Sequence, residues 1–119
     1  MFERLKLYIR RKLIAKGFIT LKKNSDAIKW GVLGLGYMAE VISTTIDWNK
    51  DAVVYAVASR SLKKAKLFAA RHGRCKAYGS YYEMLNDSSA NIDVIYIATP
   101  VIQHYDIIKQ CLVNGKNVI

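Results

Sequence analysis

Three short clusters hold the residues whose types and spacing can do chemistry. Gly34-x-Gly36-x-x-Ala39 follows directly on the apolar run Trp30 to Leu33. Ser59-Arg60-Ser61 closes a second apolar run, and Ala98-Thr99-Pro100-x-x-x-His104 closes a third. The first cluster reads as a cradle for a pyrophosphate. Gly34 makes the tight turn, and Gly36 lets the backbone approach phosphate oxygens where a Cβ would collide. Ala39 is small enough for the next helix to sit close on the strand. That helix opens with Tyr37 and Met38, and its free N–H groups carry roughly half a positive charge toward the phosphates. The expected cofactor contacts here are therefore Gly34, Gly36, Tyr37, Met38 and Ala39.

A dinucleotide needs a second point of recognition at its adenosine ribose. An Asp or Glu about 20 residues past the glycines would take the 2′-hydroxyl of NAD. No acidic residue occurs from Ala52 to Tyr82. Arg60 can instead set its planar fork on a 2′-phosphate and lie against the adenine. Ser59 or Ser61 can add a hydrogen bond, and Lys63 or Lys64 adds positive potential. NADP is favoured over NAD on this reading. The alternative is an ordinary surface arginine beside a helix-capping serine. In the third cluster, Thr99 and Pro100 fall at the sheet edge where ligands of open parallel sheets bind. His104 opens the following helix, and taken alone it reads as a structural histidine.

The elements that must position these clusters follow an alternating pattern. Strands are expected at Lys29–Leu33, Val53–Ala58, Ala77–Tyr78 and Asp93–Ala98, with a fifth beginning at Asn117. Helices are expected at Tyr37–Trp48, Leu62–His72, Tyr81–Asn86 and Gln103–Asn114. Ser61 can cap the second of these, Ser80 and Glu83 form a capping-box pair, and Gly73 and Gly115 can end helices. Met38, Val41, Ile42 and Ile46 would share the inward face of the first helix. Ile107, Ile108, Cys111 and Leu112 would do so on the last. Strand–helix alternation of this kind gives an α/β fold, a doubly wound parallel sheet of the Rossmann NAD(P)-binding type.

Composition excludes other classes. At 119 residues with 52% apolar content and one proline, the chain is one packed domain rather than a disordered one. Its longest apolar run is seven residues, Ala52 to Ala58, against the ~20 that span a bilayer. Two cysteines, Cys75 and Cys111, are too few for a disulfide framework or a zinc site. They read as a loop thiol and a helix-face thiol in a reducing, cytoplasmic compartment, and no metal is expected. The net charge of +10 is concentrated at the start, where residues 1–27 hold eight Lys or Arg against Glu3 and Asp26. No nucleic-acid-binding signature accompanies that charge, so no nucleic acid is expected as a partner.

Residues 1–27 read as a basic N-terminal extension outside the dinucleotide-binding domain, which occupies 28–119. Phe2, Leu5, Ile9 and Leu13 can line one helical face, but Lys16 takes the next slot, and Leu7, Ile14 and Phe18 point elsewhere. Three readings stand open: a helical extension resting on the domain or a partner, loose membrane-surface contact, or a tail without function. A secretory signal is not expected, because a continuous apolar core and a small-residue cleavage site are missing. An arginine-containing organelle-targeting peptide fits less well, since the stretch is poor in serine.

Taken together, G-L-G-Y-M-A, A-S-R-S, A-T-P-x-x-x-H and the closing C-L-V-N-G-K-N-V-I resemble the Gfo/Idh/MocA family of NAD(P)-dependent oxidoreductases over about Ile28–Ile119. The resemblance implies that Gly34, Gly36 and Ala39 hold the pyrophosphate. It implies that Ser59 and Arg60 hold the adenosine 2′-phosphate, and that Thr99, Pro100 and His104 line the nicotinamide side. One departure is Val101, where the family usually has asparagine. In the family the last strand runs into a Glu-Lys-Pro motif whose lysine lies near the reacting carbon. A second domain then supplies the substrate site and a catalytic histidine. Neither lies within these residues, so no catalytic residue is expected here. The chain resembles the N-terminal third of a family member. The implied activity of the whole enzyme is oxidoreduction at CH–OH groups of sugars, polyols or related diols, by a homo-oligomer, with this chain alone inactive. Beside that reading stand a non-catalytic nucleotide-sensing interaction module and an inactive fragment.

Overall fold

The computed structural model describes residues 2–15 and 21–119. A helix, α1 (Phe2–Ala15), precedes the alternating part of the chain. There follow β1 (Ile28–Leu33), α2 (Tyr37–Asp47), β2 (Ala52–Ala58), α3 (Leu62–Arg71), β3 (Lys76–Tyr78) and α4 (Tyr81–Asn86). The chain continues through β4 (Val94–Ile97), a 3-10 turn (Val101–Gln103), α5 (His104–Val113) and β5 (Asn117–Val118). The strands form one sheet in the order β3-β2-β1-β4-β5, and every pairing is parallel. Parallel neighbours need crossovers, and helices supply them. The register slips once: Trp30 pairs with Val54 but Gly31 with Ala56. The extra residue of β2 makes a bulge there.

Successive residues of a strand face opposite sides, which is why β1 can be apolar throughout its second half. Val32 packs with Ala39, Ile46, Val57, Phe68 and Ala69 under α2 and α3. Its neighbour Leu33 packs on the other side with Met84, Leu85, Ile95, Ile107 and Cys111 under α4 and α5. Both sheet faces are thus covered, and the doubly wound architecture expected from the sequence is the one observed.

The expected punctuation is also in place. Ser61 Oγ accepts from Lys64 N–H at 3.3 Å, and Ser80 Oγ accepts from Glu83 N–H at 3.5 Å, the Ser80 half of the expected capping box. Gly115 has φ +69°, with its N–H bonded to Leu112 C=O at 3.0 Å and that of Lys116 to Cys111 C=O at 2.9 Å. This paired arrangement ends α5 with its last carbonyls satisfied. Replacing the α3 cap, Ser61→Ala, is expected to cost about 0.5–2 kcal/mol in urea unfolding.

Two helix faces differ from the expected ones. On α2 the buried residues are Ala39, Ser43, Ile46 and Asp47, whereas Met38 and Val41 are exposed. Asp47 can lie inward because it has partners there: His72 Nδ1 is 2.6 Å from its carboxylate. On α5 only Ile107 and Cys111 are buried, while Ile108 and Leu112 face outward. The sheet underneath is narrow at that side, since β5 has two residues and gives the helix little surface to cover.

The stretch before β1 divides. Residues 21–27, expected to lie outside the domain, are tied to it: Lys23 Nζ donates to the carbonyls of Ile46, Asp47 and Asn49 at 2.8, 3.0 and 2.6 Å. Asn24 N–H reaches Lys50 C=O at 2.9 Å. A cation on the last carbonyls of α2 complements the negative end of that helix. On α1, Phe2, Leu5, Leu7, Tyr8 and Ile9 are all exposed. The expectations for Lys16 and Phe18 fall outside the described residues, as do those for the side chains of Leu13 and Ile14. Among the described residues no helix is long and apolar enough to cross a membrane. No group of three or more His, Cys, Asp and Glu there is placed to hold a metal.

Cys111 is buried on one side of the sheet and Cys75 is half-buried on the other. Burial pushes both thiols up, Cys111 to about 11 and Cys75, with the Asp47 charge adding to the effect, to about 12.

Candidate functional site

The carboxyl ends of β1, β2, β3 and β4 lie along one edge of the sheet, and each hands over there to a turn. Gly34 N–H continues the ladder to Ala58 C=O at 3.0 Å, and Ala98 N–H continues it to Leu33 C=O at 2.8 Å. The backbone at Gly34 then turns at φ +84°. A Cβ there would come within 2.9 Å of Thr99 Cγ2 and 3.0 Å of both the carbonyl carbon and oxygen of Ala98. The turn therefore needs glycine twice over, for its dihedral and for its proximity to the loop after β4.

Gly36 presents the opposite case. Its backbone is extended, at φ −90°, and it occupies the N-cap position of α2 with no side chain capping the helix. A Cβ built on it meets no protein atom within 4 Å. Nothing in the fold of the domain demands glycine at this position. The space a side chain would fill is the space in front of the uncapped helix N-terminus. Ala39, one turn below, is fully buried against the sheet.

A cleft of about 450 Å³ opens at this point, lined by Gly34, Gly36, Ser59, Arg60, Thr99 and Pro100, with Leu35, Lys64, Tyr81 and Ala98. Six of the residues expected from the sequence are thus brought to one wall. Tyr37 and Met38 stand in the first turn of α2, exposed, and are not on that wall. Arg60 is exposed and no described carboxylate pairs with it. Ser59 Oγ is occupied locally, accepting from Ser61 N–H at 3.2 Å. Tyr81 is the wall residue that the sequence reading left out. Its signal was available, since Gly79-Ser80-Tyr81 follows β3 as the other clusters follow their strands. A second hollow of about 410 Å³ shares Arg60 and Tyr81 and extends toward Ser80, Gln103 and Asp106.

The loop after β4 is held from behind. His104 Nε2 lies 2.6 Å from Thr99 C=O. A carbonyl only accepts, so Nε2 carries the proton and donates. Thr99 is buried, and its Oγ1 finds no hydrogen-bond partner among the described residues. An unpaired buried hydroxyl at the lip of a cleft suits a polar ligand group.

An uncapped helix N-terminus, a side-chain-free approach at Gly36, an unpaired guanidinium and an orphaned hydroxyl on one wall fit a dinucleotide. The class is that of Rossmann nucleotide-binding domains. A family profile described as an oxidoreductase family with an NAD-binding Rossmann fold matches residues 28–119. The chain belongs to this family, the Gfo/Idh/MocA oxidoreductases, as their NAD(P)-binding Rossmann domain. It is 41% identical over 95 residues to trans-1,2-dihydrobenzene-1,2-diol dehydrogenase of Xenopus tropicalis, covering 78% of this chain and 28% of that protein. The human enzyme of the same name is 37% identical over the same shares. Among solved structures, a 3-ketoreductase from Actinomadura kijaniata in complex with NADP superposes with a TM-score of 0.72 at 28% identity. That match covers 78% of this chain and 29% of the ketoreductase. A scyllo-inositol dehydrogenase from Lactobacillus casei, with bound NAD(H) and scyllo-inositol, superposes at 0.66 and 26% identity over 77% and 27%. The chain therefore spans little more than a quarter of the length of these relatives.

Proposed function

We propose that the cleft binds NADP in preference to NAD, and that the domain serves an oxidoreductase acting on CH–OH groups of a sugar, polyol or diol. The observation that carries the cofactor choice is Arg60. It stands unpaired on the wall that also holds Gly34 and Gly36, and the end of β2 has no carboxylate to repel a 2′-phosphate. Arg60 takes the 2′-phosphate through its fork, with Ser59 beside it and Lys64 adding charge from the first turn of α3. The N–H groups at the start of α2 receive the pyrophosphate over Gly34 and Gly36. Thr99 and Pro100, braced by His104, form the wall for the nicotinamide end, where Thr99 Oγ1 has a hydrogen bond to give. Tyr37, Met38 and Ala39 act through the backbone of α2's first turn.

The nicotinamide, when bound, supplies the hydride chemistry, and this chain's residues supply binding and orientation. The diol, inositol and keto-sugar names of the relatives support the substrate class. The chain spans little more than a quarter of the relatives' length; on this reading the rest holds the substrate, and the 119 residues alone are expected to bind nucleotide without turnover. Dehydrogenation of a sugar or diol by this chain in the presence of NADP would contradict that division of labour. Residues 1–27 are a basic extension to the domain, anchored by Lys23.

Titration with NADPH and NADH, followed by nucleotide fluorescence, tests the cofactor choice. Hydrogen bonds to a charged group contribute about 1.5–3 kcal/mol. Arg60→Ala is therefore expected to weaken NADPH binding about 10- to 150-fold and to leave NADH binding unchanged. An equal loss for both nucleotides would sink the assignment of Arg60 to the 2′-phosphate.

A further inference from the structure

On the face of the sheet covered by α2 and α3, a buried histidine joins the two helices. His72 is 1% exposed and packs its ring on Phe68, centroids 4.5 Å apart. Its Nδ1 lies 2.6 Å from Asp47 Oδ2, and its Nε2 lies 2.9 Å from Glu40 Oε2. Glu40 and Asp47 are seven residues apart on α2, two turns along one face. Two carboxylates only accept, so both ring nitrogens donate and the ring is an imidazolium. Burial works against that charge, but the hydrogen bonds to Asp47 and Glu40 outweigh it and raise the pKa of His72 above its ordinary 6.5. Partial burial likewise works to raise the Glu40 pKa, yet the bonds from Arg71 and His72 prevail and lower it.

The surroundings leave these four groups to balance one another. Arg71 pairs with Glu40, so two anions meet two cations. Lys23 lies over the carbonyls at the end of α2 and attracts Asp47. Arg74 and Cys75 border the adjoining hollow, where the Cys75 thiol is neutral, and Lys76 is engaged with Asp87 at 2.9 Å.

We propose that His72 is a positioning residue for the dinucleotide: as an imidazolium it holds α2 at Glu40 and Asp47 and cancels the Glu40 charge near the turn that receives the phosphates. The proposal rests on the cofactor reading above. Loss of the proton leaves one ring N–H for two carboxylates. One attachment of α2 is then released, and Glu40, left with Arg71 as its only cationic partner, projects more of its negative charge at the first half of the helix, where it opposes a phosphate. The direction with pH follows from the raised pKa of His72. The contribution to stability is complete below the unfolded value and is lost as pH rises through the folded one. For Glu40, with its lowered pKa, the contribution is complete above the unfolded carboxylate value and is lost as pH falls through the folded one. The clasp is therefore strongest between the two.

The test is nucleotide titration of the whole chain from about pH 6 to about pH 9.5, beside thermal melting without nucleotide. Glu40→Gln and Arg60→Ala are run in parallel. Wild-type affinity is expected to fall about two- to tenfold across the range, for NADH as well as NADPH. Glu40→Gln, which removes the charge, flattens the fall, while Arg60→Ala loses the NADPH preference but retains the fall with pH. Identical affinity profiles for wild type and Glu40→Gln, with only the melting curves moving, would show a purely structural clasp and overturn the proposal. A chain that melts cooperatively yet binds neither nucleotide at any pH would overturn the cofactor reading, and this one with it.

Discussion

Gly34→Ala is expected to lower the stability of the domain by about 2–5 kcal/mol. Two costs add. A non-glycine residue held at the positive φ of this turn loses about 1–2 kcal/mol. A Cβ within 3.0 Å of Ala98 main-chain atoms cannot be relieved by a side-chain rotation, and overpacking of this kind costs about 1–3 kcal/mol. Relief requires the β4 loop to move, and that loop carries Thr99 and Pro100. Nucleotide binding should therefore fall with stability, and the two effects should be correlated. Urea unfolding measures the first and fluorescence titration the second. A variant as stable as wild type would mean that the turn relaxes without strain.

Gly36→Ala is expected to separate those two effects. Its backbone is in a region any residue adopts, and the added methyl meets no protein atom. Alanine is the poorer helix cap, but it also lowers the entropy of the unfolded chain by about 0.4–1 kcal/mol, so stability should change by less than about 1 kcal/mol. On the proposed cofactor placement the methyl instead stands where the phosphates come close to the backbone. A loss of about tenfold or more in affinity for both nucleotides, equivalent to about 1.4 kcal/mol, is the expected result. Unchanged binding would place the pyrophosphate elsewhere. A collapse in stability would mean that Gly36 has a structural role the geometry does not show.

Most of the fold was legible because each strand ends in its own punctuation. Gly34, Ser61, Ser80 and Gly115 mark turns by local chemistry, and local chemistry needs no knowledge of the rest of the chain. The errors have the opposite character. Asp47 and Ser43 lie inward on α2, where hydropathy favours Met38 and Val41, because the partner of Asp47 is His72, 25 residues later. Lys23 reads as tail and is an anchor, because its three carbonyl acceptors lie more than 20 residues on. At the cleft, the glycine, arginine and threonine-proline clusters were legible through motif spacing. Tyr81 carries a weaker signal, its place just after the short strand β3, and no motif spacing adds to it. The Glu40–His72–Asp47 arrangement was invisible, because nothing local marks two carboxylates two turns apart on one helix as sharing a ring from the next helix.

The two thiols, one in each layer, make the domain self-reporting. A thiol with a pKa of about 11 or 12 is almost wholly protonated at neutral pH, and alkylating reagents attack the thiolate. In the folded protein both cysteines should react slowly, and each should react fast only when its own layer opens. Labelling at Cys111 then clocks the separation of α5 from the sheet, and labelling at Cys75 clocks the loosening beside His72. A nucleotide that tightens α2 would slow the second clock and leave the first running.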